Sequence, residues 1–167
     1  APGIKVHKGD MRDFTVTGRY DAILALSSVL VFVANEQEIK QCLQRCYDHL
    51  EPKGILLLEL PNHSVEISRS NNMQEIYHNE DQSTIVVIQS AVEGHDWNET
   101  WYIFRHNGKG LSHDQVVCQE FLYSPDTLAA QLQEAGFGVI ETHGDLLGNP
   151  FDEWNSWRRV LICEKRD

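Results

Sequence analysis

The 167-residue chain is poor in positive charge, with 14 Lys and Arg against 25 Asp and Glu and a formal net charge of −11. Binding to nucleic acid depends mainly on Lys and Arg that neutralise phosphates, so this balance argues against a nucleic-acid partner. Long apolar runs are also missing. The longest, Ala22 to Ala34, carries serines and is shorter than the ~20 residues that a membrane-spanning helix needs. We therefore expect no membrane span and a small-molecule partner.

Cysteine is scarce and has no CxxC spacing, which is the spacing of many zinc and redox sites. The four cysteines are Cys42, Cys46, Cys118 and Cys163. Two of them lie four residues apart, on one face of a predicted helix. We interpret all four as free thiols of a reducing compartment, the cytoplasm, and we assign no metal site.

A glycine-rich loop is missing ahead of the first acidic strand end. The chain begins at Ala1 without an initiator methionine and soon reaches HKGDMRDF, His7 to Phe14. In nucleotide-binding α/β domains such a loop lets the backbone approach the ligand, and a strand-end carboxylate binds it later in the chain. Here the acid comes first, which suggests a fragment, a processed chain or a trimmed one.

The hydrophobic patterning predicts a single α/β domain over residues 1–167. Alternation predicts a strand over 3–10, and a continuous apolar run predicts a central parallel strand, covered on both faces, over 20–27. Asn35 is placed to cap a helix, with Glu38 as its reciprocal partner, and a second buried strand follows over 54–61. Strand, helix and strand in this order form the right-handed crossover of a parallel sheet.

The composition and patterning of the sequence change after Asn62. Residues 62–82 are polar and predict no element, after which three β-rich runs indicate an antiparallel meander. A helix capped by Ser124, with Pro125 in its first turn, is followed by two strands in direct succession. These last strands predict an antiparallel hairpin at one edge of the sheet.

The order of these segments resembles the class I S-adenosylmethionine (SAM)-dependent methyltransferases over residues 3–166, and among them the small-molecule enzymes that methylate amino-sugar nitrogen. The resemblance rests on GDMRDF, YDAILALSSV, LEPKGILLLELP, YSPDTLAAQLQEAGF and the final reversed strand. It implies a Rossmann-like sheet with a C-terminal antiparallel hairpin, an inserted β-meander over residues 62–123 on the active-site side, and SAM as cofactor. Since family members begin with two further strands and a glycine-rich loop, it also implies an N-terminally truncated fold.

The resemblance implies a set of site residues. Asp10 would accept from the adenine amine while Met11 packs against the ring, and Leu26, Ser27 and Ser28 would lie under the methionine part of the cofactor. Beside these roles stand structural interpretations, a turn-capping Asp10 and strand-terminating serines. His63, which follows the next strand, could take the proton that an amine acceptor must lose, or it could be a loop histidine without a role.

Two other readings remain open beside methyl transfer to a small nitrogen or oxygen nucleophile. The first is a non-catalytic, truncated methyltransferase fold that self-associates, because missing central strands would leave the edge of residues 3–8 free to pair. We expect a homo-oligomer on this ground. The second is a nicotinamide-binding fold, which the antiparallel C-terminal hairpin disfavours.

Overall fold

The computed structural model describes residues 3–33, 35–69 and 73–166 of the chain. Within these ranges it has eight strands, three α-helices and a short 3₁₀ helix at Val29–Phe32. In chain order the other elements are β1 Tyr20–Ala25, α1 Glu36–His49, β2 Leu50–Pro61, α2 His63–Arg69, β3 Met73–His78, β4 Thr84–Glu93, β5 Asp96–His106, β6 Leu111–Phe121, α3 Pro125–Glu134, β7 Phe137–His143 and β8 Arg158–Lys165. None of the helices in the described ranges is long and apolar enough to cross a membrane.

The first sheet has the strand order β1-β2-β8-β7. β1 runs parallel to β2, with Ala25 beside Leu58, whereas β8 lies antiparallel to both β2 and β7. The crossover unit and the reversed C-terminal hairpin are therefore confirmed. β2 begins at Leu50, four residues before the predicted start at Gly54, because the chain turns directly from α1 into the strand.

The second sheet is an antiparallel meander in the order β3-β4-β5-β6. It has four strands and not the predicted three, and α2 and β3 fall in residues 62–82, where no element was expected. β3 has no apolar pattern because it is an edge strand, and its Ile76 is 67% exposed. Its pairing with β4 comes from backbone hydrogen bonds, which leave no signal in the side chains.

Two expectations about the N-terminal region were wrong. Residues 4–10 form no strand, and Ile4 and Val6 are 70% and 89% exposed. A strand needs a hydrogen-bonded neighbour, and the alternating pattern cannot supply one. β1 lies at an edge of the sheet with Leu24 58% exposed, so it is neither central nor covered. Within the described ranges β1, and not residues 3–8, is one of the two edges of this sheet.

Helices α1 and α3 pack against the first sheet and close its core. The predicted caps are present: the Asn35 side chain accepts from the Glu38 N–H at 2.9 Å, and Ser124 Oγ accepts from the Thr127 N–H at 3.2 Å. The core consists mainly of aliphatic side chains from α1, β2, α3 and β8, namely Ile39, Cys42, Leu43, Leu50, Leu56, Leu58, Leu128, Leu132, Leu161 and Cys163. All four cysteines are free thiols.

Candidate functional site

The chain leaves β1 through two consecutive serines in the left-handed backbone region. Ser27 and Ser28 both have φ of 56°. An L-residue in this region costs about 1–2 kcal/mol relative to its preferred conformations, and such strain clusters at ligand sites. The loop is held by the Ser27 N–H, which donates to Glu59 Oε2 on β2 at 2.7 Å. The carboxyl end of β1 is thus fixed in one costly conformation.

Glu59 is a site residue that the sequence reasoning missed. Its side chain is only 14% exposed, and its other carboxylate oxygen lies 3.7 Å from Nε of Arg158. The signal was present in the sequence, because an acid inside the apolar run LLLELP needs a partner wherever it is buried. That partner is the strained Ser27 loop.

Ser28 and Leu26 flank Ser27 in different environments. Ser28 is 8% exposed, and its hydroxyl finds no hydrogen-bond partner among the residues that the structure describes. Its carbonyl accepts from the Val31 N–H at 3.0 Å and opens the 3₁₀ helix. Leu26 is partly exposed. The loop therefore carries a buried hydroxyl without a partner among the described residues and, two residues earlier, a partly exposed apolar side chain.

Asp10 lies in a tight turn and is bound by Arg12. The Arg12 N–H and Nε both donate to Oδ1 at 2.9 Å, and Nη2 donates to Oδ2 at 2.6 Å, while Nη1 reaches Glu38 at 2.8 Å. The side-chain hydrogen bond from Arg12 lowers the pKa of Asp10 to about 2. A carboxylate has about four lone-pair sites, so the ionised Asp10 keeps one on Oδ2 for a further donor.

Met11 and Phe14, close to this ion pair in the chain, are both partly buried. Met11 packs against the core cluster that contains Leu30 and Val33, the residues that follow Ser28. The Phe14 ring lies 5.0 Å from the His49 ring and packs against it.

A cavity of about 210 Å³ lies where the two sheets meet. Its wall is mostly apolar and comes from β2, β6, α3 and the loop before β8; the lining residues are Val31, Leu60, Pro61, Asn62, His63, Ser64, Phe121, Leu122, Tyr123, Pro125, Leu128, Phe151, Glu153 and Arg159. A mostly apolar wall with a few polar groups is typical of ligand sites, although this cavity is smaller than the roughly 300–1,000 Å³ that such sites usually have.

His63 is the titratable group at the β2 end of this cavity. Its Nε2 is buried and has no hydrogen-bond partner among the described residues. Burial lowers the pKa of His63 from 6.5, and the nearby His95 lowers it further. A neutral imidazole with a free nitrogen is suited to accept a proton.

Asn62 has a structural role beside His63. Its side-chain amide donates to the carbonyls of Glu153 and Ser156, both at 2.8 Å, and its carbonyl oxygen accepts from the Ser64 N–H at 3.2 Å. These bonds tie the end of β2 to the loop that precedes β8. They fix the position of the cavity wall that includes His63.

The sequence-predicted residues fall into two groups. Because β1 and β2 are parallel neighbours, Leu26, Ser27 and Ser28 lie at the same edge of the sheet as His63. Asp10 lines a separate, open groove along α1, together with Arg12, Gln37 and Glu38. Met11 belongs to neither group, but it packs against the hydrophobic core that also contains Leu30 and Val33.

Comparison with known proteins gives relatives of one kind. No family model matches the chain. It is 23% identical over 144 residues to the dTDP-3-amino-3,4,6-trideoxy-alpha-D-glucopyranose N,N-dimethyltransferase of Streptomyces venezuelae, covering 86% of this chain and 61% of the relative. It is also 23% identical over 130 residues to the glycine/sarcosine N-methyltransferase of Halorhodospira halochloris, covering 78% and 46%.

Solved structures that superpose on the chain include methyltransferases. DesVI of S. venezuelae superposes with a TM-score of 0.76 at 22% identity, over 99% of this chain and 66% of DesVI. A SAM-dependent methyltransferase from Clostridium acetobutylicum ATCC 824 gives 0.80 at 12% identity, over 95% and 63%. The resemblance to the fold of SAM-dependent methyltransferases is thus confirmed. The chain spans about three fifths of the length of these proteins.

Proposed function

We propose that this chain binds SAM and takes part in transferring its methyl group to the nitrogen of a small-molecule amine, in the cytoplasm. The observation that carries the proposal is the strained Ser27–Ser28 loop at the carboxyl end of β1, where open α/β sheets bind their ligands. The names of the relatives point to amine nitrogen, in amino sugars and in glycine or sarcosine, as the acceptor.

The proposed cofactor contacts are Asp10, Met11, Leu26, Ser27 and Ser28. Two features of these residues fit SAM. Asp10 is held ionised and keeps a free lone pair for an exocyclic amine, and Ser28 has a buried hydroxyl without a partner. Leu26 would supply apolar contact beside it. Since Asp10 and the serines lie apart, they would contact opposite ends of an elongated ligand.

When bound, SAM supplies a methyl group on a sulfonium, which is electrophilic enough to need no covalent protein intermediate. The work left to this chain is alignment, which can supply several kcal/mol of a reaction barrier. The Ser27–Ser28 loop is already fixed on Glu59 and would orient its ligand without further ordering. We propose His63 Nε2 as the group that takes the proton of the acceptor amine.

Residues 62–123 are proposed to form an insertion over the active-site side of a single domain. Phe121 and Leu122 of this segment line the cavity that His63 shares, which supports that placement. We also propose that the chain forms a homo-oligomer through the free edge of β1.

The proposal is tested by calorimetric titration of the chain with SAM and with S-adenosylhomocysteine. We expect micromolar binding that weakens at least tenfold, or about 1.4 kcal/mol, in Asp10→Ala. Asp13→Ala is the matched control, because it removes the same charge from the same groove and should leave the affinity unchanged. A folded chain that binds neither compound would refute the cofactor site and assign the activity to a longer protein.

A further inference from the structure

His95 lies in the turn between β4 and β5 and is held from two sides by Leu122. Its Nδ1 is 3.0 Å from the Leu122 carbonyl oxygen, and its own carbonyl accepts from the Leu122 N–H at 2.8 Å. A carbonyl oxygen can only accept, so Nδ1 carries the proton of the neutral ring. The lone pair of the neutral imidazole is then on Nε2.

The imidazole of His95 is packed between two rings. Phe121 lies 5.5 Å away, and the His63 ring lies 5.8 Å away at an interplanar angle of 40°. Phe121 is in turn packed on Tyr123 at 4.8 Å. The turn of the meander therefore places a second imidazole against His63 in a defined orientation.

Besides His95, four titratable or charged groups among the described residues lie on the cavity wall or next to it, and two of them have hydrogen-bond partners of their own. Glu153 accepts from Ser64 Oγ at 3.1 Å, and the Tyr123 hydroxyl donates to the Val33 carbonyl. Arg159, on β8, adds a positive charge to the same wall. Glu66 lies one turn further along α2 and is buried.

We propose that His95 is a positioning residue for His63: its fixed imidazole keeps the neighbouring ring neutral and in place, with Nε2 free to accept a proton. This inference rests on the proposed function for its catalytic meaning. The arrangement itself does not depend on it, because Leu122 and Phe121 hold the His95 ring and the His63 ring packs against it. Two imidazolium rings at this separation would repel each other, so protonation of one disfavours protonation of the other.

In the proposed step His63 takes the proton that methyl transfer to the amine releases. The lone pair of the acceptor nitrogen forms the new N–C bond, the S–C bond breaks with its electrons going to sulfur, and the N–H proton moves to Nε2 of His63. A His63 already protonated could not accept it. His95 therefore extends the pH range in which the base is usable towards lower pH.

The test is a pH titration of the histidine ring signals by NMR, on the chain without ligand. We expect the midpoint of His63 to lie below 6.5 and to rise towards that value in His95→Gln. His113→Gln is the matched control, since His113 is another histidine of the meander and packs on Phe104 at 6.3 Å. It should leave the midpoint unchanged. An unmoved midpoint in a folded His95→Gln variant would overturn the proposal.

A second measurement needs no variant and covers the case in which His95→Gln does not fold. Nitrogen chemical shifts of the wild-type chain should show His95 protonated on Nδ1, and a ring protonated on Nε2 would overturn the proposal. The pairing of His95 with His63 and the proposed SAM-dependent function can be refuted independently of each other. If SAM does not bind while the His63 midpoint still moves in His95→Gln, the pairing stands and the proposed function fails. If SAM binds and the midpoint stays, the pairing fails alone.

Discussion

Replacing Ser28 by glycine separates the structural role of this residue from its proposed binding role. Glycine adopts a φ of 56° without the cost that a side chain brings, which recovers about 1–2 kcal/mol. Removing a buried hydroxyl that has no partner among the described residues recovers about 1–3 kcal/mol more. The added freedom of the unfolded chain takes back about 0.4–1 kcal/mol.

Together these contributions predict that Ser28→Gly stabilises the fold by about 3 kcal/mol and at the same time weakens SAM binding. Gln82→Gly is the matched control, because Gln82 has φ of 55° but is exposed and lies far along the chain in the β3–β4 turn. It should gain only about 0–1.6 kcal/mol, because it recovers the backbone cost alone, and it should leave binding unchanged. Ser28→Ala keeps the backbone cost and removes only the hydroxyl, so it should weaken binding with a smaller gain in stability.

The assays are urea denaturation for the free energy of unfolding and calorimetry for SAM affinity. A Ser28→Gly variant that is less stable than the wild type would show that the strain reasoning is wrong. A variant that is more stable and binds SAM as tightly as the wild type would show that the serine is a strand terminator and not a ligand contact.

Two further predictions concern the second sheet and the free edge of the first. Burial raises the pKa of Glu120 to about 7, and repulsion from neighbouring carboxylates contributes to this shift. The folded protein therefore favours the protonated form of Glu120, and the free energy of unfolding should fall as the pH rises from 4.5 to 7. In denaturant titrations Glu120→Gln should lose less stability as the pH rises and should be more stable than the wild type at pH 8. Glu93→Gln, at an exposed position of β4, should show neither change. Sedimentation should show a homo-oligomer at micromolar concentration. Leu24→Lys should shift it towards the monomer and Val6→Lys should not, because Leu24 lies in the edge strand β1 and Val6 does not. A wild-type chain that stays monomeric would refute oligomerisation through β1.

Elements whose determinants are local in sequence were predictable. The caps at Asn35 and Ser124 each involve a hydrogen bond to the N–H three residues later, and both are present. The apolar spacing of α1 and the continuous run of β2 identified two buried elements for the same reason, because one segment carries its whole pattern. The C-terminal hairpin followed from two strands in direct succession.

Features that depend on distant partners were not predictable from the pattern. Residues 4–10 alternate like a strand but have no neighbour, while β3 pairs with β4 and shows no apolar alternation. Whether β1 is central or at an edge depends on which strands flank it, and the sequence of one strand does not contain that information.

The same distinction between local patterns and contacts with distant residues applies to the candidate site. The sequence by itself determined that the segment Leu26–Ser28 and His63 follow strands, because the end of an apolar run is a local pattern. It placed Asp10 at the end of a strand as well, but residues 4–10 form no strand. Only the tertiary structure decided that Glu59 holds the Ser27 loop and that the β4–β5 turn brings His95 to His63, 32 residues away in the chain. Contacts of this kind arise from strand order and sheet packing, which bring together side chains that no sequence spacing relates.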